Sequence, residues 1–300
     1  MKTAYLAAEG HERRLATELD RAGVAVRLTH GRLFVTDGPA VQVAWAANTW
    51  FDAEEVSISS IRDGADTLRS RQRSWAVYAP EHRGRAGLIV EKLPSVSGRA
   101  LDLRELAPSS PLGSWTLLDP TTMLLARHCS SSFANGEVQL AEIRHGPPNR
   151  AYRKLWEAFV VLGRYPSAGD GAVDLGASPG GWTWLLHELG CNVVAVDKAP
   201  LDPAVERLPR VEARTQSAFA PLEDDRVPRW VTSDIACYPE RLFGLIDRWC
   251  GLNPKPTLIF TIKFQGETDH DIVDRFRSFD GARLVHLHHN KHELTLFLDP

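Results

Sequence analysis

The stretch VDLGASPGGWTW (173–184) limits the possible folds of this chain more than any other. A short apolar run, GAVDLG (171–176), stops at a glycine. A tight loop containing Gly180 and Gly181 follows, and helical spacing resumes in WTWLLHELG, which closes on Gly190. A strand, a glycine loop and a helix in that order bring backbone N–H groups close to whatever lies at the helix start.

The surrounding sequence repeats the alternation. AYRKLWEAFVVLG (151–163) has helical spacing, and NVVAVD (192–197), VEART (211–215), RWVTSD (229–234) and TLIFTIKF (257–264) read as strands. ARLVHLHH (282–289) and ELTLFL (293–298), split by a short polar turn, read as a closing hairpin. Buried strands alternating with helices predict an α/β unit, a mostly parallel sheet covered on both faces, to which the hairpin adds one antiparallel strand.

Three chemistries use such a glycine turn, and the residues discriminate between them. A dinucleotide fingerprint needs glycine where Ser178 stands, so that a pyrophosphate can approach. A nucleophile elbow, GxSxG, is matched formally by Gly176 to Gly180, but the residue after the serine must donate its N–H to an oxyanion, and Pro179 has none. S-adenosylmethionine (SAM) has no pyrophosphate and needs only a close, glycine-lined approach. Asp197 ends the next strand, 23 residues after Asp174, where a carboxylate can grip ribose hydroxyls.

The tandem prolines of HGPPNR (145–150) suit neither a helix interior nor a central strand, so they predict a boundary between a domain at 1–145 and one at 146–300. The first 150 residues carry 18 bases and 17 acids; the rest carry 17 and 21. A net charge of −3 excludes a uniformly basic nucleic-acid coat. Eight bases against three acids in 69–104 leave room for a local basic patch or a solvated face. TAYLAA, a helix around HERRLATELDRAG, AVRLTH and RLFVTDG predict a smaller α+β unit, with SWAVYAP and GLIVEKL as further strands. No run approaches the roughly 20 apolar residues that span a bilayer. The start lacks an apolar signal core, and four scattered cysteines form no CxxC pair; both point to the cytoplasm.

Ligands of open α/β sheets bind beyond the carboxyl ends of the strands. Asp234 and Lys263 lie at two such ends. Glu293 starts the antiparallel strand, at the same edge. The helix at 151–163 runs opposite to the strand after it, so its first turn, with Lys154, returns there too. Two lysines and two carboxylates thus converge by topology, either as a site or as surface ion pairs.

DLGASPGGW, the NRAYRKL helix start, SD at the fourth strand end, IFTIKF and HNKHELTLFL resemble FtsJ-type ribose 2′-O-methyltransferases over about residues 146–300. The resemblance implies a Rossmann-like SAM methyltransferase domain, an RNA acceptor, ribosomal RNA above all, and a Lys-Asp-Lys-Glu tetrad at Lys154, Asp234, Lys263 and Glu293, with Lys263 as base. It places SAM contacts on Ser178, Pro179, Gly180, Gly181, Asp197 and Asp234, with Asn149 before the first helix and Trp182 after the glycines. Where the family often has an acid near the adenine, this chain has Ser217. The opening AYLAAEGHERRLATEL is similar to family members whose first half holds a ferredoxin-like unit and a THUMP RNA-binding domain, which implies RNA recognition in 1–145.

A ribose hydroxyl must lose its proton as the methyl transfers, and a lysine takes it only when neutral. Desolvation and the charge of Lys154 favour that form of Lys263; Asp234 and Glu293 oppose it. His286 and His288 would share one strand face, as two metal ligands might, but only Glu293 is near to complete a set, so RNA contact or plain exposure is the reading and no metal is expected. Trp75, beside Arg71 and Arg73, could stack on a base, though core burial is the default for tryptophan. Two rival functions stay open: an RNA-binding protein with a retired catalytic domain, and a SAM methyltransferase acting on something other than RNA.

Overall fold

A computed structural model describes residues 1–222 and 227–300. The chain forms two compact units, residues 1–100 with 107–139, and 101–106 with 140–300. The division therefore falls a few residues before the tandem prolines. Segment 101–106 joins the second unit because Leu101 bridges Leu140, Arg104 donates to the Glu188 carbonyl and the Tyr165 hydroxyl donates to the Glu105 carbonyl.

The first unit is α+β, with two sheets. One comprises β1 (Lys2–Ala7), β2 (Val26–His30), β3 (Leu33–Asp37), β4 (Ala46–Phe51) and β9 (His128–Cys129), in the order β2-β3-β1-β4-β9; α1 (Glu12–Arg21) follows β1. The other comprises β5 (Glu54–Ser57), β6 (Trp75–Val77), β7 (Gly113–Asp119) and β8 (Thr122–Ala126), in the order β5-β8-β7-β6; α2 (Ile61–Arg71) and α3 (Arg83–Val90) belong with it. Strand alternation lets β8 serve two cores: Met123 and Leu125 pack with Leu68, Ile89 and Trp115, while Leu124 and Ala126 pack with Leu6, Val35 and Trp50.

GLIVEKL is not a strand. Its first four residues end α3, which turns Ala86 and Ile89, three apart, into the core; so short an apolar run fits either period. Trp75 is in the same core, and its indole N–H donates to the Leu68 and Gln72 carbonyls, which leaves no free face for a base. In the arginine-rich stretch, Arg69 pairs with Asp66 and Arg71 with Glu54.

In the second unit, α4 (Tyr152–Leu162) buries Tyr152, Leu155, Trp156, Phe159 and Val160, the i, i+3, i+4, i+7, i+8 stripe of an amphipathic helix. Gly163 ends it in the left-handed conformation, donating to the Phe159 and Val160 carbonyls. There follow β10 (Gly171–Leu175), α5 (Gly181–Glu188), β11 (Asn192–Asp197), α6 (Pro203–Glu206), β12 (Val211–Thr215), β13 (Trp230–Ser233), α7 (Pro239–Cys250), β14 (Thr257–Lys263), α8 (His270–Arg277), β15 (Arg283–Val285) and β16 (Glu293–Leu298). They build one seven-stranded sheet, β12-β11-β10-β13-β14-β16-β15. The first five strands are parallel, and β16 is antiparallel to both of its neighbours. The order reverses at β10, so the β10 and β13 ends open a crevice where Rossmann-like sheets bind nucleotides.

The expected strand 282–289 stops at Val285. The Glu157 carboxylate of α4, 1% exposed, accepts the N–H groups of His288 (2.6 Å) and His289 (2.8 Å) and the His289 ring nitrogen Nδ1 (2.6 Å). Amides that would have extended the ladder go to a side chain instead. His286 and His288 therefore share no strand face, which corrects the sequence expectation. His286 bonds the Lys291 carbonyl, and His292 bonds the Thr268 hydroxyl.

Candidate active site

Beyond the ends of β10, β11, β13 and β14 lies a cleft of about 410 Å³. Of the residues singled out in the sequence, Asn149, Ser178, Gly181, Trp182, Asp197, Asp234 and Lys263 line it, joined by Asp174, Gly176 and Ile235 among others. Pro179 and Gly180 belong to the same loop without forming its wall, and Lys154 and Glu293 stand outside the lining. Ser217 also lies outside, past the end of β12, where its hydroxyl accepts the Phe219 N–H at 3.3 Å.

The glycine loop keeps the cleft open. Gly176 has φ +74°, and a Cβ there would sit 2.8 Å from the Ile235 Cβ, so both backbone sign and space demand glycine. A Cβ on Gly181 would reach 2.3 Å from Asn149 Oδ1, the atom that accepts the Ala151 N–H (2.9 Å) where α4 begins. The Asp197 carboxylate shapes the loop's other side: Oδ2 accepts the Ser178 N–H at 3.0 Å and Oδ1 the Ala199 N–H at 2.9 Å. Each oxygen keeps a second lone pair for a ligand hydroxyl. The Ser178 hydroxyl donates to the Pro200 carbonyl at 2.8 Å, which commits its proton away from nucleophilic work.

Asp174 is the lining residue that sequence reasoning missed. It is 1% exposed, and its carboxyl takes hydrogen bonds from Thr183 (2.7 Å) and Thr232 (3.3 Å). Burial pushes it up to about 7, with the nearby Asp234 charge adding to that. The signal was present as an acid inside the apolar run GAVDLG, where a buried carboxylate needs partners.

Lys154, Asp234, Lys263 and Glu293 form one chain of ion pairs. Lys263 Nζ is 3.1 Å from Asp234 Oδ1 and donates to the Asp234 carbonyl at 2.5 Å. Lys154 Nζ is 3.4 Å from both Asp234 carboxylate oxygens and 2.5 Å from Glu293 Oε1. Lys263 and Glu293 are direct register partners across β14 and β16. Two cations and two anions cancel, which lets a largely buried quartet exist at the edge of a cleft. Only Lys263 and Asp234 face the cleft, so they alone can meet a ligand there.

Residues 148–278 match the family of FtsJ-like methyltransferases. The matched stretch lies within the second unit, which is thus similar to FtsJ-like methyltransferases. Among curated relatives, the Ribosomal RNA large subunit methyltransferase M of Halorhodospira halophila is 33% identical over 186 residues, 57% of this chain and 54% of that protein. The protein of the same name from Thauera aminoaromatica is 29% identical over 251 residues, 78% of this chain and 66% of the relative. That from Marinobacter nauticus is 28% identical over 246 residues, 76% of this chain and 65% of the relative. The chain thus spans between about half and two thirds of the length of these relatives. No helix among the described residues is long and apolar enough to cross a membrane.

Proposed function

We propose that this chain transfers the methyl group of SAM to a ribose 2′-hydroxyl of ribosomal RNA, with Lys263 as proton acceptor. The observation that carries this reading is the Lys263–Asp234 contact on the wall of a glycine-lined cleft, backed by Lys154 and Glu293. A sulfonium cofactor fits the residues present. A Cβ at position 176 or 181 would crowd Ile235 or Asn149 on the cleft wall, and the cleft is lined by the carboxylates of Asp197 and Asp234. The loop Ser178 to Gly181, with Asn149 and Trp182, would hold the methionine end, and Asp197 would accept ribose hydroxyls of the cofactor. When bound, SAM supplies an electrophilic methyl.

The rest is work for this chain's own side chains. Once its own proton has passed to solvent, the neutral Lys263 amine would receive the hydroxyl proton as the oxygen–carbon bond forms and the methyl's bond to sulfur breaks; the O–H electrons become the nucleophile and the amine returns to ammonium. Asp234 fixes the lysine by its carboxylate and its carbonyl, and Lys154 holds that carboxylate while tied to Glu293. Such positioning supplies several kcal/mol toward an in-line transfer. The first unit serves RNA recognition in this reading. A ribosomal substrate follows the name that the relatives share, and it implies a cytoplasmic setting.

Ribose-methylation maps of total RNA from cells with and without the gene test the proposal. Loss of a 2′-O-methyl mark in ribosomal RNA is the expected result. An unchanged map would move the reading to a different acceptor, and SAM and RNA binding with no transfer would mark a retired domain.

A further inference from the structure

Next to the cleft, on the other side of Asn149, is a pocket of about 370 Å³ whose walls include Glu142, Arg144, Arg150 and Arg153. Three guanidiniums face a single carboxylate. The Arg150–Glu142 pair is 3.6 Å apart with both side chains exposed, a separation and setting worth little. Arg153 makes one long bond, 3.4 Å, to the Leu140 carbonyl. Among the described residues no carboxylate pairs with Arg144 or Arg153. The pocket is therefore positively charged on a chain whose net charge is −3. The first turn of α4, which forms one wall, carries no acid and adds its own positive end.

We propose that Arg144, Arg150 and Arg153 bind a backbone phosphate of the RNA strand whose ribose enters the cleft at Lys263. The inference rests on the ribose methyltransferase reading and adds to it the groups that hold the strand. Guanidinium forks match phosphate oxygens two at a time, which a scattered lysine surface does not. Arg153 immediately precedes Lys154, and Asn149 is common to pocket and cleft, so one rigid helix start fixes the phosphate relative to the reacting sugar. A polynucleotide, with phosphate and ribose a bond or two apart, is the ligand that uses both cavities at once.

The test compares the wild-type chain with the triple variant R144A/R150A/R153A, using a labelled single-stranded RNA of mixed sequence titrated over a range of salt. The variant is expected to bind the RNA about tenfold more weakly, with a salt slope smaller by about 1–2, since phosphate contacts set that slope. SAM affinity should stay within about twofold, which also reports an intact fold. The charge-preserving variant R144K/R150K/R153K should keep most of the slope. An alanine variant with normal SAM binding and an unchanged slope would overturn the subsite while leaving wild-type methyl transfer to vouch for the parent reading. Wild-type protein that neither binds nor methylates RNA would overturn both. Inorganic phosphate at matched ionic strength should displace RNA from the wild-type chain better than chloride does, and from the alanine variant no better than chloride; equal displacement of both chains would contradict a phosphate site there.

Discussion

Lys154 Nζ lies 2.5 Å from Glu293 Oε1, joining the first helix of the second unit to the first residue of its last strand. Both groups are largely buried, at 15% and 7% side-chain exposure. Removing one partner of such a pair leaves the other charged and short of a counter-ion. Without Glu293, Lys154 would lean on Asp234, the carboxylate that Lys263 also uses.

Glu293→Ala should therefore lower methyl transfer by about a hundredfold and stability by roughly 1–3 kcal/mol. A double-mutant cycle with Lys154→Met, read by urea unfolding, should return a coupling of about 1 kcal/mol or more. Additive losses would show the pair to be incidental.

Gly181→Ala tests the cleft floor. The new Cβ must displace Asn149 Oδ1 from its bond to the Ala151 N–H. SAM affinity by calorimetry should fall about tenfold, with a stability loss of about 1–2 kcal/mol for the strained contact. Normal SAM binding in this variant would place the cofactor elsewhere.

Asp174 gives the fold a pH dependence of definite sign. Its carboxyl titrates near 7 in the folded chain, above the unfolded value, because burial favours the neutral form. The folded state thus binds this proton more tightly. The contribution is complete below about pH 4 and is lost as pH rises through about 7. Asp174→Asn should flatten that part of the stability profile, measured by denaturant midpoints across the window. An identical profile in the variant would show that Asp174 does not titrate there.

Glu157→Ala should unfold the turn at 288–289 from α4. The amides of His288 and His289 would lose their acceptor, at a cost of about 1–3 kcal/mol for two partly buried donors. Hydrogen exchange at those two amides should rise sharply while β10 and β11 stay protected. Unchanged exchange would mean that other groups hold the turn.

The parallel strands and α4 were legible because each has one strong local signal: apolar runs bounded by glycine or acid, and a helical stripe closed by Gly163. The convergence of Lys154, Asp234, Lys263 and Glu293 on one edge followed from chain direction alone, with no need of side-chain detail. The ion-pair order did not, because which lysine meets which carboxylate depends on distances of an ångström. α7 carries the same kind of signal, since Leu242, Leu245, Ile246 and Trp249 stand at i, i+3, i+4 and i+7, although the sequence analysis names no helix there. Strand 282–289 was read too long because nothing local shows that a carboxylate 131 residues away takes the His288 amide. The burial of Asp174 and its hydrogen bonds from Thr183 and Thr232, which come from two other segments, have no local signature beyond an acid in an apolar run.

The most direct test of the central claim incubates wild-type chain and Lys263→Ala with methyl-labelled SAM and unmodified ribosomal RNA, followed by nuclease digestion and nucleoside analysis. Wild type should yield label as a 2′-O-methylnucleoside, and the alanine variant should bind SAM with near-normal affinity yet transfer none. Label on a base or on protein, or undiminished 2′-O-methylation by Lys263→Ala, would contradict it.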